Sequence, residues 1–96
     1  MTQGKEIDRC ADILKALGHP VRMQIVAGLM CDNECNVNRI VESLNLPQST
    51  ISQHLSILKS RNIIEAEKHG VSICYKVTDD RVKKIIRIFE IKCDMK

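Results

Sequence analysis

The sequence predicts a mainly α-helical chain with one small β-hairpin, an α+β arrangement in the order ααααββα. Three observations carry this. Apolar residues recur at three- and four-residue steps from Ile7 to Leu58. The pattern then changes to strict alternation over Val71–Val77, beyond the turn signal His69-Gly70. A last amphipathic stretch follows Thr78.

The first helix spans about residues 5–17. Ile7, Cys10, Ala11, Leu14 and Leu17 form its apolar face, and Gly18 ends it. Pro20 starts the second helix, at a position where its missing N–H costs nothing. Val21, Ile25, Val26 and Leu29 run along that helix, which fades after Met30 into the polar connection 31–35. Asn36 is the expected N-cap of a short third helix with Val37, Ile40, Val41 and Leu44 on one face. Asn45-Leu46-Pro47 makes a tight break, and a fourth helix runs to about Ser60 over Ile51, Leu55 and Leu58. Two strands, 63–68 and 71–77, flank His69-Gly70. In the second, Val71, Ile73, Tyr75 and Val77 are expected inside and Ser72, Cys74 and Lys76 outside. Thr78 is expected to cap the last helix, with Asp79 and Asp80 in the first turn, where the helix dipole favours acids. Val82, Ile85, Ile86, Phe89 and Cys93 form its stripe. Helices three and four with their short turn fit a helix-turn-helix, and a hairpin straight after them is a wing. The chain thus reads as a winged helix-turn-helix.

Composition narrows the function classes. At 96 residues the chain is expected to be one domain. A domain of this size buries only about 60% of its unfolded surface, which favours a shared core in a dimer. With one Tyr, one Phe and no Trp, it is poor in the aromatics that stack on single-stranded bases or line large ligand pockets. A formal net charge of +3 permits nucleic-acid binding without demanding it. The sequence shows no signal peptide or membrane-spanning run, so a cytoplasmic location is expected. Its five cysteines are then expected as reduced thiols, and none are paired as Cys-x-x-Cys. No catalytic constellation or Gly-rich phosphate loop is present, which points away from an enzyme.

The fourth helix carries the chemistry. Its polar side is Gln48, Ser49, Thr50, Ser52, Gln53, Ser56 and Lys59. A merely solvated face usually carries Glu and Lys, whereas Ser and Thr are poorer helix formers. In a major groove the same composition has a use. Gln pairs bidentately with adenine, while Ser and Thr bond base edges or phosphates. Lys59 and Arg61 at the helix end and Lys68 and His69 at the wing tip suit phosphate contacts, which set affinity and orientation.

Three segments carry a family resemblance: LKALGHPVRMQIV at 14–26, LNLPQSTISQHLSILK at 44–59 and GVSICYKV at 70–77. In their order and content they resemble the ArsR/SmtB repressors. The resemblance implies a homodimer built through helices one and five, about 5–17 and 79–93. It implies binding to double-stranded operator DNA with an imperfect inverted repeat. It also implies that Gln48, Ser49, Thr50, Ser52 and Gln53 face the DNA.

Two metal sites common in that family do not fit this sequence. The cysteine positions of the helix-three site hold Asn36 and Asn38, and no His follows His69 for the helix-five site. Zinc needs about four N/S ligands, so no metal and no cofactor are expected from these patterns. A further branch senses reactive sulfur or oxidants with one cysteine on helix two and one near the end of helix five. Cys93 matches the second position. The first falls on Ala27, and the nearest thiol is Cys31, one turn later. Cys31 and Cys93 are therefore the expected sensor thiols, provided that their Cα atoms come within about 7 Å. A thiophilic metal or metalloid is the alternative, with Cys31 and Cys35 supplying thiolates and Cys10 or Cys93 a third. A protein-interaction module on the same fold is another. Cys74, on the expected outer face of its strand, is assigned no role.

Overall fold

The structure, a computed structural model, describes residues 4–31 and 37–91, without the side chains of 37–39, 41 and 72. The Asn36 cap, Cys35, Cys93 and the side chains of Val37 and Val41 lie outside the described residues.

Helix α1 (Gly4–Leu17) has two faces rather than one. Arg9, Ile13 and Ala16, at four- and three-residue steps, turn inward with Leu17. Ile7 and Leu14, two turns apart, are 55% and 59% exposed, and Cys10 between them is exposed too. Of the five residues expected on a single apolar face, only Leu17 is fully buried. The chain's own core claims the Ile13–Leu17 side, and the Ile7–Leu14 side is left facing outward. Gly18 ends α1 without a left-handed backbone. A Cβ there would stand only 3.1 Å from the carbonyl oxygen of Leu14, so the close approach accounts for the glycine.

His19 caps helix α2 (Pro20–Cys31): its Nδ1 accepts from the N–H of Val21 at 3.1 Å. Helix α2 buries Ile25, Val26, Ala27, Gly28 and Leu29, and so is apolar on every side. It is the central element, packing against α1, α3 (Val37–Leu44), α4 (Gln48–Ser60) and β2 (Ser72–Val77). Each large side chain buried there contributes about 1.5–3 kcal/mol.

Helix α3 stops at Asn45, whose left-handed φ of 53° turns the chain into Leu46-Pro47 and on to α4. Helix α4 buries Ile51, Leu55 and Leu58. Its far end is a Schellman motif. Asn62 is left-handed at φ 59°, its N–H donates to Lys59 O at 3.0 Å, and the N–H of Ile63 donates to Leu58 O at 3.0 Å. Ile63 and Leu58 are both wholly buried, which supplies the hydrophobic contact of that motif. The chain thereby leaves α4 at a fixed angle and enters the wing.

The wing pairs β1 (Ile64–His69) antiparallel with β2, in register from Ile64 opposite Val77 to His69 opposite Ser72. Gly70 and Val71 form the two-residue turn, and the φ of 65° at Gly70 fits a type II′ geometry. The expected alternation holds only at the base. Ile64 and Val77 are buried, but Ile73 is 46% exposed and Val71, inside the turn, is fully exposed. The hairpin projects from the body, so distance from the core outweighs the side of the strand.

Helix α5 (Asp80–Ile88) is capped by Asp79 rather than Thr78. Asp79 Oδ1 accepts from the N–H groups of Arg81 and Val82 at 2.8 and 3.1 Å. The helix ends earlier than the expected 93, because Glu90 takes a left-handed φ of 54° and its N–H closes on Arg87 O. Val82 and Ile86 are buried, while Ile88 and Phe89 are 75% and 58% exposed. Among the described residues no helix is long and apolar enough to cross a membrane.

Candidate nucleic-acid interface

Helix α4 lies on the surface with its polar side outward. Ser49, Ser52, Gln53 and Ser56, at i, i+3, i+4 and i+7, form one exposed stripe. Gln48 is exposed beside it and Thr50 is half-buried. Pro47 provides no side-chain cap, and the first bonds to its carbonyl come from the N–H groups of Thr50 and Ile51. The amides of Gln48 and Ser49 precede those bonds and point out of the helix start, a geometry that suits a phosphate oxygen. An uncharged donor and acceptor face joined to an amide-bearing helix end can read base edges while gripping the backbone.

The expected cations are arranged around this helix. Lys59 and Arg61 are exposed at its C-terminal end. Lys68 and His69 are exposed on the wing but, as neighbours in a strand, they point to opposite faces of the hairpin. His69 Nε2 lies 3.0 Å from Glu67 Oε1, so a carboxylate shares its position. Lys68 is thus the less encumbered of these two wing residues.

The structure adds residues that periodicity did not single out. His54 sits at the i+3 place in the Ile51–Leu55–Leu58 stripe, a polar residue at an apolar position. Arg22 Nη1 approaches His54 Nδ1 at 3.3 Å, and the His19 ring stands 4.5 Å from the His54 ring, centre to centre. Arginine only donates, so this contact is a hydrogen bond in the neutral tautomer that leaves Nδ1 free to accept, with the proton on Nε2. Burial, then the neighbouring His19 and Arg22, push the His54 pKa below the usual histidine value. Arg22 Nε also donates to the Ala16 carbonyl at 2.7 Å, which satisfies an end carbonyl of α1. One arginine thus ties the end of α1 to the middle of α4. A histidine on the core side of the helix was the signal available in the sequence.

The cysteines depart from expectation. Cys31 and Cys74 are each disulfide-bonded, and only Cys10 is a free thiol among the described residues. A wholly reduced set is therefore not what the fold holds. Cys74 is half-buried, because β2 packs beside α2 and partly covers the face that alternation assigned to solvent. Among the described residues no group of three or more His, Cys, Asp and Glu is placed to hold a metal ion.

Comparison with known proteins agrees with this geometry. The family model for bacterial regulatory proteins of the arsR family matches residues 19–66, from the cap of α2 into β1. An HTH-type transcriptional regulator of Methanocaldococcus jannaschii is 40% identical over 86 residues, which cover 90% of this chain and 97% of that protein. The transcriptional repressor PagR of Bacillus anthracis is 36% identical over 78 residues, 81% of this chain and 78% of PagR. The PagR crystal structure superposes with a TM-score of 0.78 over 91% of this chain and 99% of its own. HlyU of Vibrio cholerae, a transcriptional activator, gives a TM-score of 0.79 at 25% identity, covering 92% and 95% of the two chains. These relatives are transcriptional regulators rather than enzymes, and the winged helix seen in their structures is the fold found here. The chain belongs to the arsR family of regulatory proteins.

Proposed function

We propose that the protein is a homodimeric repressor that binds an imperfect inverted repeat in double-stranded operator DNA and is released by a thiol-reactive inducer acting on Cys31 and Cys93. The observation that carries the DNA-reading part is the exposed, uncharged stripe of α4, with Gln48, Ser49, Thr50, Ser52 and Gln53 around an uncapped helix start. Lys59, Arg61, Lys68 and His69 add phosphate contacts. Residues 1–96 act as one domain, in the cytoplasm and without a cofactor.

Dimerisation is supported by the apolar side chains that this chain leaves uncovered. Ile7 and Leu14 on α1, and Ile88 and Phe89 at the end of α5, are all more than half exposed. Pairing through α1 and α5 sets two copies of α4 about 34 Å apart, one turn of DNA, and so predicts the inverted repeat. The structure holds the sulfur of Cys31 in a disulfide, so the sensor acts in the reduced protein, where that sulfur is a thiol. HlyU has also been solved in a form described as reduced, which fits a redox-responsive relative. A coupling of about 1–3 kcal/mol between thiol modification and DNA binding changes affinity roughly 5- to 150-fold.

The test is operator release. Purified protein is reduced, freed of reductant and footprinted on the promoter of its own operon, then challenged with polysulfide, peroxide, arsenite, cadmium and zinc while its cysteines are followed by mass spectrometry. Polysulfide or peroxide is expected to release the DNA with modification of Cys31 and Cys93, and Cys93→Ser is expected to bind DNA but ignore polysulfide. Undetectable DNA binding at low salt refutes the repressor. Release of Cys93→Ser by polysulfide refutes the thiol pair, and release by arsenite or cadmium alone moves the sensor to thiolate ligation.

A further inference from the structure

Arg9 stands on the inward face of α1, one turn ahead of Ile13. Its Nη2 donates to Asp79 Oδ2 at 2.9 Å, and its Nη1 donates to the backbone carbonyl of Arg61. Asp79 is the N-cap of α5 and Arg61 the C-cap of α4. A single guanidinium therefore joins three helices. Its side chain is 32% exposed and that of Asp79 14%, so the ion pair is partly withdrawn from water, where charge-assisted bonds gain strength, while the bond to the Arg61 carbonyl lies at the surface.

We infer that Arg9 is a positioning residue for the DNA-reading helix: it fixes the C-terminal end of α4 against the two helices that form the dimer, and so sets the distance between the two reading helices. The inference rests on the dimeric operator-binding function proposed above. The helix that carries Arg9 has the exposed Ile7 and Leu14 on another face. A displacement of that face against the partner is passed through a rigid helix to Arg9, and from Arg9 to the last turn of α4. The Asp79 carboxylate does two things at once. Its Oδ1 caps α5 and its Oδ2 holds Arg9, so the start of α5 and the end of α4 move together. With Nη1 on the Arg61 carbonyl and Nη2 on Asp79, the guanidinium serves as a brace between helices rather than as a DNA contact, which the salt slope below tests. Without it, α4 keeps Ile51, Leu55 and Leu58 in the core and still folds, but its end is no longer referenced to the dimer seam.

The experiment compares wild type, Arg9→Gln, Asp79→Asn and the double variant as full-length proteins. Affinity for the footprinted operator and for an unrelated duplex is measured across a salt series. Sedimentation and circular dichroism on the same preparations report dimer and fold. Asparagine keeps a side-chain oxygen for the amides of Arg81 and Val82, so the α5 cap survives in Asp79→Asn. Each single variant is expected to lose about 2- to 30-fold in operator affinity. Affinity for the unrelated duplex and its salt slope should be unchanged, and the double variant no weaker than the weaker single. Wild-type operator affinity in both single variants overturns the inference. So does a reduced salt slope in Arg9→Gln, which makes Arg9 a phosphate contact, or additive losses in the double variant. If Arg9→Gln does not fold, Asp79→Asn decides alone: lower operator affinity on an intact dimer supports the inference, and retained affinity overturns it. A wild type that binds neither duplex overturns the operator function and this inference with it; a wild type that binds while the variants match it overturns this inference alone.

Discussion

Gln53→Ala separates reading DNA from merely holding it. Gln53 is exposed in the middle of the Ser49–Ser52–Ser56 stripe, so its removal creates no cavity in the core. The fold should change by less than about 0.5 kcal/mol, as surface substitutions usually do. A bidentate contact to a base is worth about 1–3 kcal/mol of discrimination. The proposed dimer carries two such residues, so its operator complex should lose about 2–6 kcal/mol, at least roughly 30-fold in affinity. Binding to an unrelated duplex, and the salt slope of both complexes, should stay put because no charge is removed. Lys59→Ala is the matched control. It should weaken both duplexes alike and lower the salt slope by about 0.9 for each phosphate that the lysine no longer neutralises. Fluorescence anisotropy on both duplexes across a salt series reads all of this. If Gln53→Ala weakens the two duplexes equally, or neither, α4 does not read bases through this residue.

Stability should fall with acid through the histidine on the core side of α4. The folded-state pKa of His54 lies below its unfolded value near 6.5, so the unfolded chain binds the proton first and stability declines as pH drops through about 6.5. Thermal melts at pH 7.5 and 5.5 should show this loss, and His54→Asn should flatten it; an unchanged slope in the variant assigns the effect elsewhere. Gly70→Ala should destabilise by about 1 kcal/mol through its left-handed backbone alone, since nothing lies within 4 Å of the added Cβ. Urea titration measures it, and no loss would mean that the turn changes type. Leu58→Ala removes a wholly buried side chain whose partner Ile63 closes the Schellman motif, and should cost about 2–5 kcal/mol in the same titration. A cost below about 1 kcal/mol would show that the α4–wing corner is not packed as described.

The element order was legible because local signals marked each boundary: Pro20, the Asn45–Pro47 break and the glycine of the wing turn. The outward face of α4 was legible because its apolar residues keep one spacing from Ile51 to Leu58. What failed was whatever depended on distance from the core. Val71 and Ile73 obey the alternation yet are exposed, since a projecting hairpin has no inside at its tip. Helix α1 has two faces, and periodicity alone could not say which one the chain itself would cover. The bonds from Arg9 to Arg61 and Asp79, and the contact of Arg22 with His54, join residues 32 to 70 positions apart, and no window of sequence contains both partners. The bonded state of Cys31 and Cys74 escaped because the expected location alone argued for thiols.

The separation between the two sides of α4 has a consequence over evolutionary time. Ile51, Leu55 and Leu58 hold the helix in place, while Ser49, Ser52, Gln53 and Ser56 are answerable to the core for nothing. Exchanges among such small or neutral side chains would alter neither net charge nor melting temperature by much. A duplicated copy could therefore drift toward a new target sequence without first acquiring compensating mutations. Thr50, half-buried at the edge of both sides, is the position where such drift meets resistance.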